Sequence, residues 1–333
     1  MENEKINSKG TEENKEKEGI FWNSFWFVCI LLSIVLISIS CFFINDFNNN
    51  IRKYNLKYRW PKLTDLIPSL YLLPMIICYK LFIEYLSKDF VEYCLSKKYK
   101  HPKLKELKDK YRLKLSRHLY KITFYTGITI FGYYVLKDLP YFPKSMGGKG
   151  YMPAMFLPGF PNSYFHEKPP LFDFYYNLNL AYFFCDFIFL IISEKQSDFI
   201  NMLLHHICTI SLIIFSFMTN YSNIGCLVIF CHMQSDILGH AIRFVVQTDL
   251  PIFIIGLTGI SFLSNFIYMR QYVFGDMIYT IYKYITWKWG IITTMLWLFL
   301  VILYIMHLRW SYILLYKTSE LVFEKKRDRK SVV

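Results

Sequence analysis

The stretch NMLLHHICTISLIIFSF, residues 201–217, decides how this chain folds. It reads as a helix surrounded by hydrocarbon, yet it carries two adjacent imidazoles, His205 and His206. Helix positions three, four and seven apart share a face. Asp198, Asn201, His205 and Thr209 therefore form one polar stripe, with His206 about 100° further round beside Met202.

The next apolar run repeats the pattern. In CHMQSDILGHAIRF, residues 231–244, the side chains of His232, Asp236, His240 and Arg243 fall on one helical face. A carboxylate or guanidinium inside a membrane span costs at least ~3 kcal/mol unless it faces a polar interior. The two runs are joined only by the short turn Thr219 to Asn223. Both stripes are therefore expected to face one shared cavity, which Asp186 and Asn179 of the preceding run can also line.

The rest of the chain suits a membrane setting. Of its 333 residues 54% are hydrophobic and 20% aromatic, and the mean hydropathy is +0.26. The apolar residues are bunched rather than periodic, which points to an all-α, polytopic integral membrane protein. A helix needs roughly 20 apolar residues to cross about 30 Å of hydrocarbon. Runs of that kind fall at about 21–45, 65–86, 119–137, 171–193, 203–219, 223–246, 251–269 and 287–309, so about eight transmembrane helices are expected. The third, rich in Tyr and Gly, and the charged sixth are the weakest.

The net charge of +13 reads as a topogenic and anionic-lipid signal. The basic loop Lys88 to Arg117 and the tail EKKRDRKSVV fall on one side with the N-terminus, which makes that side cytosolic. IRKYNLKYRWPK, residues 51–62, lands opposite despite its charge. No recognised nucleic-acid motif accompanies the charge, so no nucleic-acid partner is expected. Residues 1–20 are polar, mixed in sign and expected to be disordered. The first span is too long for a cleaved signal. Eight scattered cysteines show no CxxC spacing and suggest neither a disulfide framework nor a zinc site. The sequon Asn220-Tyr221-Ser222 sits hard against two spans, where it is not expected to be used.

Histidine takes and returns protons near neutral pH, and a neighbouring carboxylate stabilises its cation. No serine or cysteine is positioned as an obvious nucleophile. That leaves direct attack by an activated amine or alcohol, or imidazole as the acyl carrier. The bland alternatives are an Asp236–Arg243 ion pair two turns apart, snorkelling of His240 and Arg243, and an interfacial His307. Di-iron histidine boxes are absent from the sequence, so no metal is expected.

The His pair, followed some 27 residues later by His232-Met233-Gln234-Ser235-Asp236, resembles the motif of ceramide synthases in the TLC-domain superfamily. Flanking similarity appears in LSRHLYKITFYTGITIFGYYVLKDLPYF before it and IMHLRWSYILLYK after it, and spans roughly residues 60 to 318. Three departures stand out. Met233 replaces the first aspartate of the family block, His240 replaces a Glu, and Arg243 replaces a Lys.

The resemblance implies a TLC-type helical barrel in the endoplasmic reticulum membrane, with both termini cytosolic. It implies fatty acyl transfer from acyl-CoA to the amine of a long-chain sphingoid base, with no cofactor beyond that co-substrate. His205, His206 and Asp236 are the expected catalytic residues, with His205 favoured as acyl carrier. His232, His240, Arg243, Asp198 and Asn201 are expected to support them or line the cavity. The expected division of the chain is a tail (1–20), two N-terminal transmembrane helices with the basic loop (21–111), a six-helix TLC domain (112–318) and a basic tail (319–333). Membrane lipids are the expected surroundings, and a homodimer or a small accessory membrane subunit stays open. Because Met233 cannot orient an imidazole, a non-catalytic TLC protein, translocon-associated or lipid-sensing, is the alternative.

Overall fold

The computed structural model describes residues 28, 30–44, 47–49, 61–95, 105–156, 168–193, 195, 199–284 and 291–330, with the side chains of 105–107 and 317–330 left out. The disordered tail expected at residues 1–20, most of the basic run at 51–62, and Asp198 lie outside the described residues.

Among the described residues ten α-helices follow one another: α1 (Ile30–Asn49), then α2 (Pro68–Leu86), α3 (Lys88–Cys94), α4 (Lys105–Leu136), α5 (Phe172–Ile192), α6 (Phe199–Met218), α7 (Ser222–Val245), α8 (Ile252–Ile267), α9 (Phe274–Tyr284) and α10 (Ile291–Lys330). No strand occurs among the described residues. Pro68 opens α2, where its missing N–H costs nothing.

Among the described residues, seven stretches are long and apolar enough to cross a bilayer: α1, Leu63–Leu86, α5, α6, α7, Ile252–Tyr284 and Ile291–Tyr316. α4 is not among them. Its first half is charged, and Tyr, Thr and Gly dilute its second half. It still packs against α2, α5 and α7, and it turns Ile130 and Tyr134 outward. It thus occupies the place assigned from the sequence to an eighth crossing.

The stretch from Arg270 to Tyr284, which the expected spans 251–269 and 287–309 leave as a connecting loop, is helical. α8 runs through a π-helical turn, Tyr268–Val273, directly into α9. At 1.5 Å per residue the 33 residues from Ile252 reach about 50 Å, well beyond the hydrocarbon thickness. The apolar count from the sequence stopped at the charge of Arg270. The wider turn re-aims side chains, and here it carries Arg270 inward to α7 and α10.

The helices close on themselves. α4 meets α5, α5 meets α6, α6 meets α10, α10 meets α9 and the π-turn, and the π-turn meets α7, which returns to α4. Two glycines allow close approach between neighbouring helices. A methyl at Gly132 would sit 2.7 Å from the ring of Tyr175 on α5. One at Gly225 would strike the hydroxyl of Tyr176, which is bound to Ser216 (2.6 Å) and donates to the Ile213 carbonyl (3.0 Å). Below the α6–α7 turn, Phe142 packs edge-on against Phe230, and Asn223 reaches the carbonyl of Met155 at 3.5 Å. Outside the spans, Lys108 hydrogen-bonds Glu92 and holds its carboxyl below the ordinary range.

Candidate functional site

The hairpin of α6 and α7 brings three histidines together. The ring of His205 lies 5.7 Å from that of His206 and 6.2 Å from that of His232, nearly parallel to the latter. His307 of α10 completes the cluster, 5.0 Å from His232, and Trp310 closes it at 5.5 Å from His205. His307 is fully buried rather than interfacial, because α10 packs along α6 at this depth.

Hydrogen bonds fix two of the tautomers. A carbonyl can only accept, so His232 Nδ1, 2.7 Å from the Val228 oxygen, carries a proton. In the neutral ring its Nε2 then holds a lone pair. Arg270 Nη1 lies 2.8 Å from His307 Nε2, and a guanidinium only donates, so that nitrogen is the acceptor. Meanwhile His205 Nδ1, His206 Nδ1, His232 Nε2 and His307 Nδ1 are buried without a hydrogen-bond partner among the described residues. Buried polar atoms are nearly always paired, so four such nitrogens in one cluster point to chemistry or a ligand.

Arg270 is the hub below them. It donates to Ser235 Oγ (2.6 Å), to the His232 carbonyl (3.3 Å) and to Asp236 Oδ1 (2.6 Å), besides His307. Asp236 thus pairs with Arg270, not with the Arg243 that the bland alternative gave it. Asp236 reaches the histidines only through the guanidinium. Its side chain is 34% exposed where that of Arg270 is 3% exposed.

His206 turns to another carboxylate. Its Nε2 lies 3.6 Å from Asp186 on α5, which Lys121 of α4 holds at 2.8 Å. The remaining expected residues fall apart. His240 meets His118 Nδ1 to Nδ1 at 3.1 Å and stacks on Tyr125, while Arg243 is exposed. Both share the angular face of His232, but they stand ~12 and ~16 Å further along the axis. Asn201 accepts from Arg309 at 3.4 Å, and the Thr209 hydroxyl donates back to the His205 carbonyl at 2.8 Å. Asn179 is buried and donates to the Tyr175 carbonyl. Met233 is packed in the apolar core.

One cavity, of about 590 Å³ of empty volume, opens beside this cluster. Its walls are Thr209, Leu212 and Ser216 of α6, Ile224 and Val228 of α7, and Leu296, Leu300 and Leu303 of α10. His232 is the histidine in its lining. From His232 to Tyr221, both of which line it, the helix rises ~16 Å, so the space is a slot about half a bilayer deep.

The family model for the TLC domain (TRAM, LAG1, CLN8) matches residues 114–316, more than half of the chain. The chain belongs to the TLC-domain family. Among curated relatives it is similar to ASC1-like protein 3 of Oryza sativa subsp. japonica, with 24% identity over 52% of this chain and 57% of that protein. It is also similar to ceramide synthase hyl-1 of Caenorhabditis elegans, at 23% over 62% of this chain and 58% of hyl-1. With sphingosine N-acyltransferase lag1 of Schizosaccharomyces pombe it shares 25% identity over 33% of this chain and 28% of that relative. The chain thus spans little more than half the length of the first two.

Sequence reading of this TLC chain missed Arg270, which lay in the supposed loop. It set His307, within IMHLRWSYIL, at the interface, where the structure buries it. The Lys121–Asp186 pair joins residues 65 apart and leaves no periodic signal. A buried charge inside an apolar run was the signal available for Arg270.

Proposed function

We propose that this TLC-domain chain is a ceramide synthase, an acyltransferase that moves a fatty acyl group from acyl-CoA to the amine of a sphingoid base. The observation that carries this reading is His232 Nε2. It is a buried, unpaired lone-pair nitrogen whose ring lines a deep apolar slot. The slot suits an acyl chain, with its thioester beside the histidines. The amine nitrogen attacks the thioester carbon, so that a C–N bond forms as the C–S bond breaks. His232 takes the amine proton, and the departing CoA thiolate takes a proton from His206. His205 stands between them, with ring centres near enough for a proton to cross through one water on each side.

The reaction needs no cofactor besides acyl-CoA. The protein sits in the endoplasmic reticulum membrane with its basic face and both termini cytosolic, where CoA is supplied. The test uses synthase-deficient membranes, labelled sphinganine and a panel of acyl-CoAs. Wild type is expected to make ceramide, and His232→Ala at equal folded protein to lose about 10²–10⁴-fold in rate. A second reading, a non-catalytic TLC protein that handles lipid, is favoured by one feature, Met233 in place of the family's aspartate. It prevails if folded wild type makes no product from any acyl-CoA.

A further inference from the structure

The two members of the histidine pair do not share an environment. His205 faces imidazole and indole rings, whereas His206 faces a carboxylate. We propose that Asp186, clamped by Lys121, is a positioning residue that orients His206 and stabilises its cation during acyl transfer. This rests on the acyltransferase reading given above.

The geometry separates this carboxylate from a purely structural ion pair. Lys121 Nζ lies 2.8 Å from Asp186 Oδ1 and 2.9 Å from Oδ2, so it grips both oxygens from α4. Oδ2 also faces His206 Nε2 at 3.6 Å, which is too long for a hydrogen bond but close for opposite charges. A further charged side chain near this carboxylate is Lys80 of α2. It is committed to Glu84 at 2.7 Å and lies over the Phe189 ring at 3.9 Å. Phe187 of α5 packs beside the His206 ring, and His205 is its neighbour on α6.

With Nε2 directed at the carboxylate, His206 leaves Nδ1 as its buried, unpartnered atom. That atom takes a proton by way of His205 and then delivers it to the CoA thiolate. The carboxylate balances the positive ring between those two transfers, and it is not itself consumed. Lys121, bonded to both oxygens, stops Asp186 from swinging away from the ring. Asp186 lies outside the His pair and the His-Met-Gln-Ser-Asp block, so it offers a carboxylate that does not depend on position 233.

The test compares wild type, Asp186→Asn, Asp186→Glu and Lys121→Met as full chains purified in detergent. Expected for Asp186→Asn is a drop in kcat of about 10²-fold with KM for acyl-CoA within about twofold, partly restored by Asp186→Glu. Histidine NMR supplies a readout that needs no activity. In Asp186→Asn the ring resonances of His206 are expected to move while those of His232 and His307 stay. Unmoved His206 resonances overturn the inference even if ceramide is made. So does a kcat loss explained by loss of folded protein, with Asp186→Glu no better than Asp186→Asn. Wild type that makes no ceramide overturns the acyltransferase reading instead, and a moved His206 resonance then still upholds the positioning.

Discussion

Two polar centres lie inside this bundle, and they are built in opposite ways. The Arg270 centre has one cation serving four acceptors drawn from α7 and α10. The Asp186 centre has one carboxylate between Lys121 and a histidine, drawn from α4, α5 and α6. A guanidinium with all three nitrogens hydrogen-bonded and its side chain 3% exposed is a structural rivet. A carboxylate that keeps one oxygen near an imbalanced imidazole is a device for moving charge. The comparison predicts that Arg270 matters chiefly to stability and Asp186 chiefly to turnover.

The largest effect is expected from Arg270→Met. Removing a donor leaves each buried acceptor unpaired, at a cost of about 1–3 kcal/mol apiece. Here Asp236, Ser235 and His307 all lose their donor. Thermal unfolding in detergent, followed by size-exclusion, should show a lower midpoint than for any Asp186 variant of unchanged length. If Arg270→Met melts like wild type, the contrast between rivet and charge-handling device collapses.

Asp236→Asn sharpens the same contrast at a smaller scale. The amide keeps an oxygen for Arg270 Nη2, and the site is open to its surroundings, which screens the lost charge. The expected destabilisation is about 1–2 kcal/mol, the range of one charge-assisted hydrogen bond. Turnover should fall less than in His232→Ala, because Asp236 reaches the histidines only through Arg270. A turnover loss as deep as that of His232→Ala would instead make Asp236 a direct partner of the reaction.

Helical periodicity explains which of these residues could be read from the sequence. His205, His206 and His232 repeat on faces that a helix must bury, and the short turn between α6 and α7 forces those faces together. Arg270 escaped because a π-turn, not an α-turn, points it inward, and no residue spacing announces that change. Asp186 was seen as a lining candidate, but its partner Lys121 was not, since contact between α4 and α5 is a property of packing. His240 and Arg243 illustrate the converse error. Angle alone groups them with His232, while the axial rise carries them out of the cluster.

The smallest effect tests that last point. Arg243→Gln changes an exposed residue at the end of α7, so its stability should stay within about 0.5 kcal/mol of wild type, with ceramide output unchanged at saturating acyl-CoA. It shares the angular face of His232 yet stands ~16 Å beyond it, so the variant separates angular position from depth. A loss of turnover comparable to that of Asp186→Asn would mean that the working site extends to the end of α7. The His118–His240 contact would then belong to it, and the two-centre division would have to become a single polar column running the length of that helix.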